Sequence, residues 1–107
     1  MSSICELTIH ELHKKLTSGE VSSVEATRDV LSRIEKVESK IHSYISIFSE
    51  EALRQAASAD EFIKRKKEAG EPVPLLAGIP LAIKDNLLTK GQKTTAASRI
   101  LNNFIAP

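Results

Sequence analysis

The sequence has one cysteine, one tyrosine, three phenylalanines and no tryptophan. A lone Cys5 cannot close an internal disulfide, which excludes the disulfide-stapled secreted scaffolds and leads us to expect a reducing, cytoplasmic setting. At 4% of the residues, aromatics offer no platform on which bases would stack. An excess of either charge is also lacking. Fifteen Lys and Arg against 14 Asp and Glu leave +1, which excludes a strongly basic nucleic-acid binder and an acidic tail. No apolar run approaches the roughly 20 residues of a bilayer span, so no membrane is expected. The opening MSSICELTIHELHKK has no apolar signal-peptide core, and Glu6 and Glu11 come too early for an acid-poor transit peptide. These absences leave a cytoplasmic globular domain, or a piece of one.

What is present falls into two styles. Residues 1–70 hold 11 basic and 12 acidic side chains and read as an N-terminal helical segment. Thr8 with Glu11 three residues later forms a capping box, and Ile9, Leu12 and Leu16 make one apolar stripe. Gly19 ends this first helix. Ser22 and Glu25 repeat the start signal for a second, whose apolar face runs through Val30, Leu31, Ile34, Val37 and Ile41. The β-branched and aromatic stretch Ile41 to Phe48 predicts a short strand or an extended connection. A third helix follows Ser49, with Ala52, Ala56, Ala59 and Ile63 on a face small enough for close approach. Lys64 to Lys67 close it before Gly70. That basic run suits the negative end of a helix dipole better than a nucleic acid.

Residues 71–107 hold four basic and two acidic side chains and read as loop, strand and turn. Ile79, Leu81 and Ile83 alternate with Pro80, Ala82 and Lys84, which predicts a strand covered on both faces. A short helix is expected near Ser98 to Asn102. Such a strand needs neighbours that the sequence does not contain, so the chain is expected to be an incomplete part of a larger domain.

Lys84 is the residue with the most chemistry to offer. At the end of a buried strand its ammonium form is penalised by desolvation. Moving a lysine pKa from about 10.4 to about 7 takes some 4 to 5 kcal/mol, after which the neutral amine is a general base. Two plainer roles stand beside this one: a lysine snorkelling from the sheet edge, and an ion pair with Asp85. His10, His13 and His42 form no metal set, Cys5 lacks a basic neighbour, and Ser98 is most simply a helix-start residue. Phosphate-binding glycine loops and a glycine-flanked serine elbow are missing.

The segment Gly78-Ile79-Pro80-Leu81-Ala82-Ile83-Lys84-Asp85-Asn86, followed by Thr89-Lys90-Gly91-Gln92-Lys93-Thr94-Thr95, resembles the start of the amidase signature family. That family carries G-(I/V)-P-x-x-(I/V)-K-D-N and then T-x-G-x-x-(T/S)-T. The opening ELTIHELHKKLTSGEVSSVEAT and the stretch TTAASRIL are similar to one branch, the A subunits of glutamyl-tRNA(Gln) amidotransferase. One departure is visible, since Ala96 stands where that branch commonly has cysteine.

The resemblance implies an α/β fold, with N-terminal helices and the first strands of a mixed sheet wrapped by helices. Residues 71–107 would then be the start of the amidase core. It also implies a Ser–cis-Ser–Lys triad in which Lys84 matches the lysine, while both serines and the oxyanion loop lie outside this chain. The neutral lysine takes the proton relayed from the nucleophilic serine through the second serine. Attack on the amide of glutamine then releases ammonia, and water clears the acyl-enzyme. In that branch a partner subunit uses ATP and Mg²⁺ to amidate misacylated Glu-tRNA(Gln) with this ammonia, in a complex with B and C subunits. A stand-alone amidase fragment and a non-catalytic helical interaction module remain as alternatives.

Overall fold

The computed structural model describes residues 3–107. Three α-helices carry the first compact unit, which takes in the chain up to Ile41 together with Phe48–Pro80. They are α1 (Ile9–Ser18), α2 (Ser23–Ile41) and α3 (Ser49–Glu68), preceded by a 3-10 turn at Ile4–Glu6.

Helix starts and stops follow the local chemistry. The Glu11 N–H donates to Thr8 Oγ1 at 3.2 Å while the Thr8 N–H donates to Glu11 Oε2 at 2.8 Å, which completes the capping box. Gly19, at φ +82°, ends α1 in the left-handed conformation, its N–H donating to the Leu16 carbonyl. At the head of α2 the Glu25 N–H donates to Ser22 Oγ at 3.0 Å. The N–H groups of Ser23 and Val24, which no intrahelical carbonyl can reach, donate instead to the Asp60 carboxylate of α3 at 2.6 and 3.2 Å. One helix thus caps another across 37 residues of sequence.

The core of this unit is Leu12, Leu16, Ala26 and Ile63, with Ile4, Leu7, Val21, Val73, Ala77 and Ile79 packed around it. Ala26 of α2 and Ala56 of α3 are both buried, and the two helices pack on each other. Further along α2, Val30, Leu31, Ile34 and Val37 are only half-buried, and Ile41 is exposed.

The N-terminal turn is tied down by Asp29 of α2. Its Oδ2 accepts from Ser3 Oγ at 2.7 Å and from the Cys5 N–H at 2.8 Å. These bonds, the Ser3 hydroxyl first, hold the carboxyl below its ordinary 3.8. A depressed folded-state pKa gives stability that is complete above the unfolded-state value and is lost as pH falls through the folded one. Asp29→Asn should therefore lower the melting temperature at neutral pH and make little difference in strong acid. A gap between the two proteins that persists unchanged into acid would contradict this account.

One expectation about strands is corrected: residues 79–84 form no strand. Of the two alternatives for the stretch up to Phe48, the connection is the one found, since the chain from 42 to 48 is irregular after α2. Among the described residues the only sheet-like pairing is an isolated antiparallel bridge, Lys93 with Ile105. The mixed sheet expected of the α/β fold is therefore not present among the described residues, which form three helices followed by turns. The reason is physical: alternation of side chains prepares a strand, but hydrogen bonds from a neighbouring segment make one. No described segment pairs with residues 79–84.

Candidate functional site

The second compact unit comprises His42–Ile47 and Leu81–Pro107. Its frame is a short antiparallel lacing of the segments around 92 and 105. The Gly91 N–H donates to the Ala106 carbonyl at 2.8 Å, Ala106 N–H to Gln92 at 3.0 Å, and Thr94 N–H to Phe104 at 3.2 Å. Thr94, Thr95 and Ala106 are buried within it. A 3-10 turn at Arg99–Leu101 follows Ser98, whose Oγ accepts from the Ile100 N–H at 3.3 Å, so this serine has the helix-start role expected for it.

Lys84 opens a turn closed by the Leu87 N–H donating to its carbonyl at 3.0 Å. Its side chain is exposed. Leu81 and Ile83, which precede it, are 60% and 57% exposed. The expected burial of this lysine is thus corrected: Lys84 and the apolar residues before it are exposed.

The residue after the lysine is the anchored one. Asp85 Oδ1 accepts from the Thr95 N–H at 3.0 Å, Oδ2 accepts from the Thr95 hydroxyl, and the Asp85 carbonyl accepts from the Ala96 N–H at 2.8 Å. The Thr95 hydroxyl, then the Thr95 N–H, hold the Asp85 carboxyl below its usual range. Both carboxylate oxygens are engaged by Thr95, and among the described residues none of the ion pairs involves Lys84. The plain ion pair between Lys84 and Asp85 is not formed.

Thr95 to Ser98 is itself a tight turn, with Ser98 N–H donating to the Thr95 carbonyl at 2.9 Å and φ of +50° and +58° at Ala96 and Ala97. Side-chain-bearing residues in this left-handed region cost about 1 to 2 kcal/mol each. Such a conformation persists only where surrounding bonds over-determine it. Here the surrounding bonds are the Ala96 N–H to Asp85 and the Ala97 N–H to Thr95 Oγ1 at 3.2 Å. Residues 96 and 97 are thus positions where surrounding bonds hold the backbone in the left-handed region.

The weaker candidates are dispersed. His10 and His13 lie on α1, and His42 follows α2 at φ +54°. No three metal-capable side chains converge among the described residues. Cys5 is half-buried, with Sγ 3.1 Å from Ser3 Oγ. Arg65, Lys66 and Lys67 occupy the last turn of α3, and Lys66 pairs with Glu71 at 2.6 Å over the Phe62 ring. Sequence reasoning passed over Thr95. The available signal was a Thr pair placed ten residues after an Asp, beyond a glycine turn, a composition that favours side-chain bonds to backbone.

Comparison with known proteins carries the site into a family. The profile of the Amidase family matches residues 25–107, a stretch that includes nearly all of α2, all of α3 and the Lys84 turn. The chain is 55% identical over 102 residues to the A subunit of the glutamyl-tRNA(Gln) amidotransferase of Geotalea daltonii. It is 53% identical over 102 residues to that of Geobacter metallireducens, and 52% over 100 residues to that of Nostoc punctiforme. These alignments cover 94 to 95% of this chain but 20% of each relative, so the chain spans about a fifth of their length. No solved structure matches it. With a family profile running from Glu25 to Pro107 and the G-I-P-L-A-I-K-D-N segment inside it, this chain belongs to the amidase family.

Proposed function

We propose that this chain is the N-terminal fifth of the glutaminase-type A subunit of a glutamyl-tRNA(Gln) amidotransferase. The observation that carries the reading is identity above half over 95% of the chain to proteins of that name. In this reading the complete protein hydrolyses glutamine in the cytoplasm. Its ammonia converts Glu-tRNA(Gln) to Gln-tRNA(Gln) in a complex with B and C subunits. The tRNA is held mainly by a partner, because this region carries only +1.

Lys84 is the base of a Ser–cis-Ser–Lys triad, with both serines supplied by chain outside this segment. The serine proton passes through the second serine to Lys84 Nζ as the Oγ–C bond forms. The same proton returns to the leaving nitrogen as the C–N bond breaks. ATP and Mg²⁺ belong to a partner in this scheme. No step on this chain runs through either group.

The test compares three preparations. The complete protein with its two partner subunits should release ammonia from glutamine and, given ATP and misacylated tRNA, form Gln-tRNA(Gln). The isolated 107-residue chain should release none. A complete protein that hydrolyses simple amides efficiently and has no affinity for partner subunits would instead establish a stand-alone amidase. Ammonia release that follows the 107-residue chain through purification would refute the assignment of the serines.

A further inference from the structure

We propose that Asp85 is a positioning residue for Lys84, and that it acts by bolting the lysine turn to the buried Thr95. The inference rests on the reading of Lys84 as the base. Its support lies within the second unit alone.

Residue 85 makes three hydrogen bonds to residues 95 and 96, two through its carboxylate and one through its carbonyl. Its carboxylate sits one peptide away from the Lys84 Cα. The far end of this link is firm: Thr95 is buried, Thr94 beside it donates to the Phe104 carbonyl, and the 95–98 turn is closed on itself. Lys84 has no such hold of its own. Its carbonyl closes the 84–87 turn and its side chain is exposed. A lysine side chain is a flexible four-carbon stem, so the place from which it starts decides where the amine can reach. Misplacing a reacting group by about 1 Å costs on the order of 10²-fold. Asp85 therefore fixes the root of the lysine rather than its charge.

This differs from an electrostatic role in ways that substitution reads directly. Asparagine at 85 keeps both side-chain bonds: its carbonyl oxygen accepts from the Thr95 N–H, and its amide donates to Thr95 Oγ1. Serine at 95 keeps the hydroxyl. Alanine at 85 and valine at 95 do not.

The experiment measures glutaminase kcat and KM in the complete protein with its partner subunits. Asp85→Ala and Thr95→Val should lose about 10- to 100-fold in kcat with KM little changed. Asp85→Asn and Thr95→Ser should recover most of that loss, with the acidic limb of the pH–rate profile unmoved. In a Lys84→Met background, Asp85→Ala should cost nothing more, because residues that act as a unit are not additive. A structural defect unrelated to the lysine would still lower the residual rate there.

Folded Asp85→Ala and Thr95→Val proteins with wild-type kcat would overturn the proposal. So would an asparagine variant as damaged as alanine, or one with a displaced acidic limb, either of which assigns the effect to charge. An unimpaired Lys84→Met protein would remove the base reading itself, and this proposal with it.

Discussion

Replacing Lys84 by arginine in the complete protein is expected to abolish ammonia release nearly as fully as replacing it by methionine. A guanidinium with a pKa above about 12 keeps its charge and its donors but accepts no proton at neutral pH. If Lys84 serves as the neutral base, charge conservation is worthless and both variants lose about 10² to 10⁴ in kcat. The loss is larger if the relay collapses as a unit. If Lys84 is a snorkelling cation, arginine should restore most of what methionine removes. The measurement is kcat for both variants, with folding checked by thermal melt. A folded arginine variant that keeps more than roughly a tenth of wild-type kcat ends the base assignment, since a missing base costs far more. The reading also demands cover. Leu81, Ile83 and Lys84 are exposed, and a base that works as the neutral amine needs a water-excluding wall that these residues do not form.

The helices were legible because their signals are local. Thr8 with Glu11, Ser22 ahead of Glu25, and Gly19 each act within a single turn, and the helix bounds follow them. The strand was not legible because a strand is a relation between segments. Ile79, Leu81 and Ile83 have the right alternation, and it carries no information about what lies alongside. The same division runs through the site. The assignment of Lys84 as a base comes from the resemblance of G-I-P-L-A-I-K-D-N to the amidase motif, while its turn with Leu87 is local. The bonds from Asp85 to Thr95 join residues ten apart that share no helical or strand period. Sequence reasoning therefore offered Asp85 the nearest cation, Lys84, as a partner. The fold instead gave it a hydroxyl and an N–H, which satisfy both oxygens without neutralising the lysine. Asp60 is a parallel case in the first unit, since nothing in α3 marks it as the cap of α2.

Gly78→Ala is expected to be among the most destabilising single-methyl additions in the first unit. Gly78 sits at φ +77°, where a side chain costs about 1 to 2 kcal/mol by backbone strain alone. The added Cβ would also meet Ile63 Cδ1 at 3.1 Å, Ser23 Cβ at 3.2 Å and Ser23 Oγ at 3.3 Å. Ser23 and Ile63 are 2% and 5% exposed, so neither has open space to retreat into. Ser23 is held further, because its hydroxyl donates to the Gly78 carbonyl at 2.8 Å and its N–H donates to Asp60. Overpacking of this kind costs typically about 1 to 3 kcal/mol, so strain and crowding together predict a loss of about 2 to 5 kcal/mol. Gly70 supplies the control. It shares the positive φ, at +69°, but its Cβ would meet nothing within 4 Å, so Gly70→Ala should show the strain alone, about 1 to 2 kcal/mol. Denaturant midpoints of the two variants separate the contributions. Equal losses at 78 and 70 would mean that the wall formed by Ser23 and Ile63 yields, and that Gly78 is required for its backbone angle only.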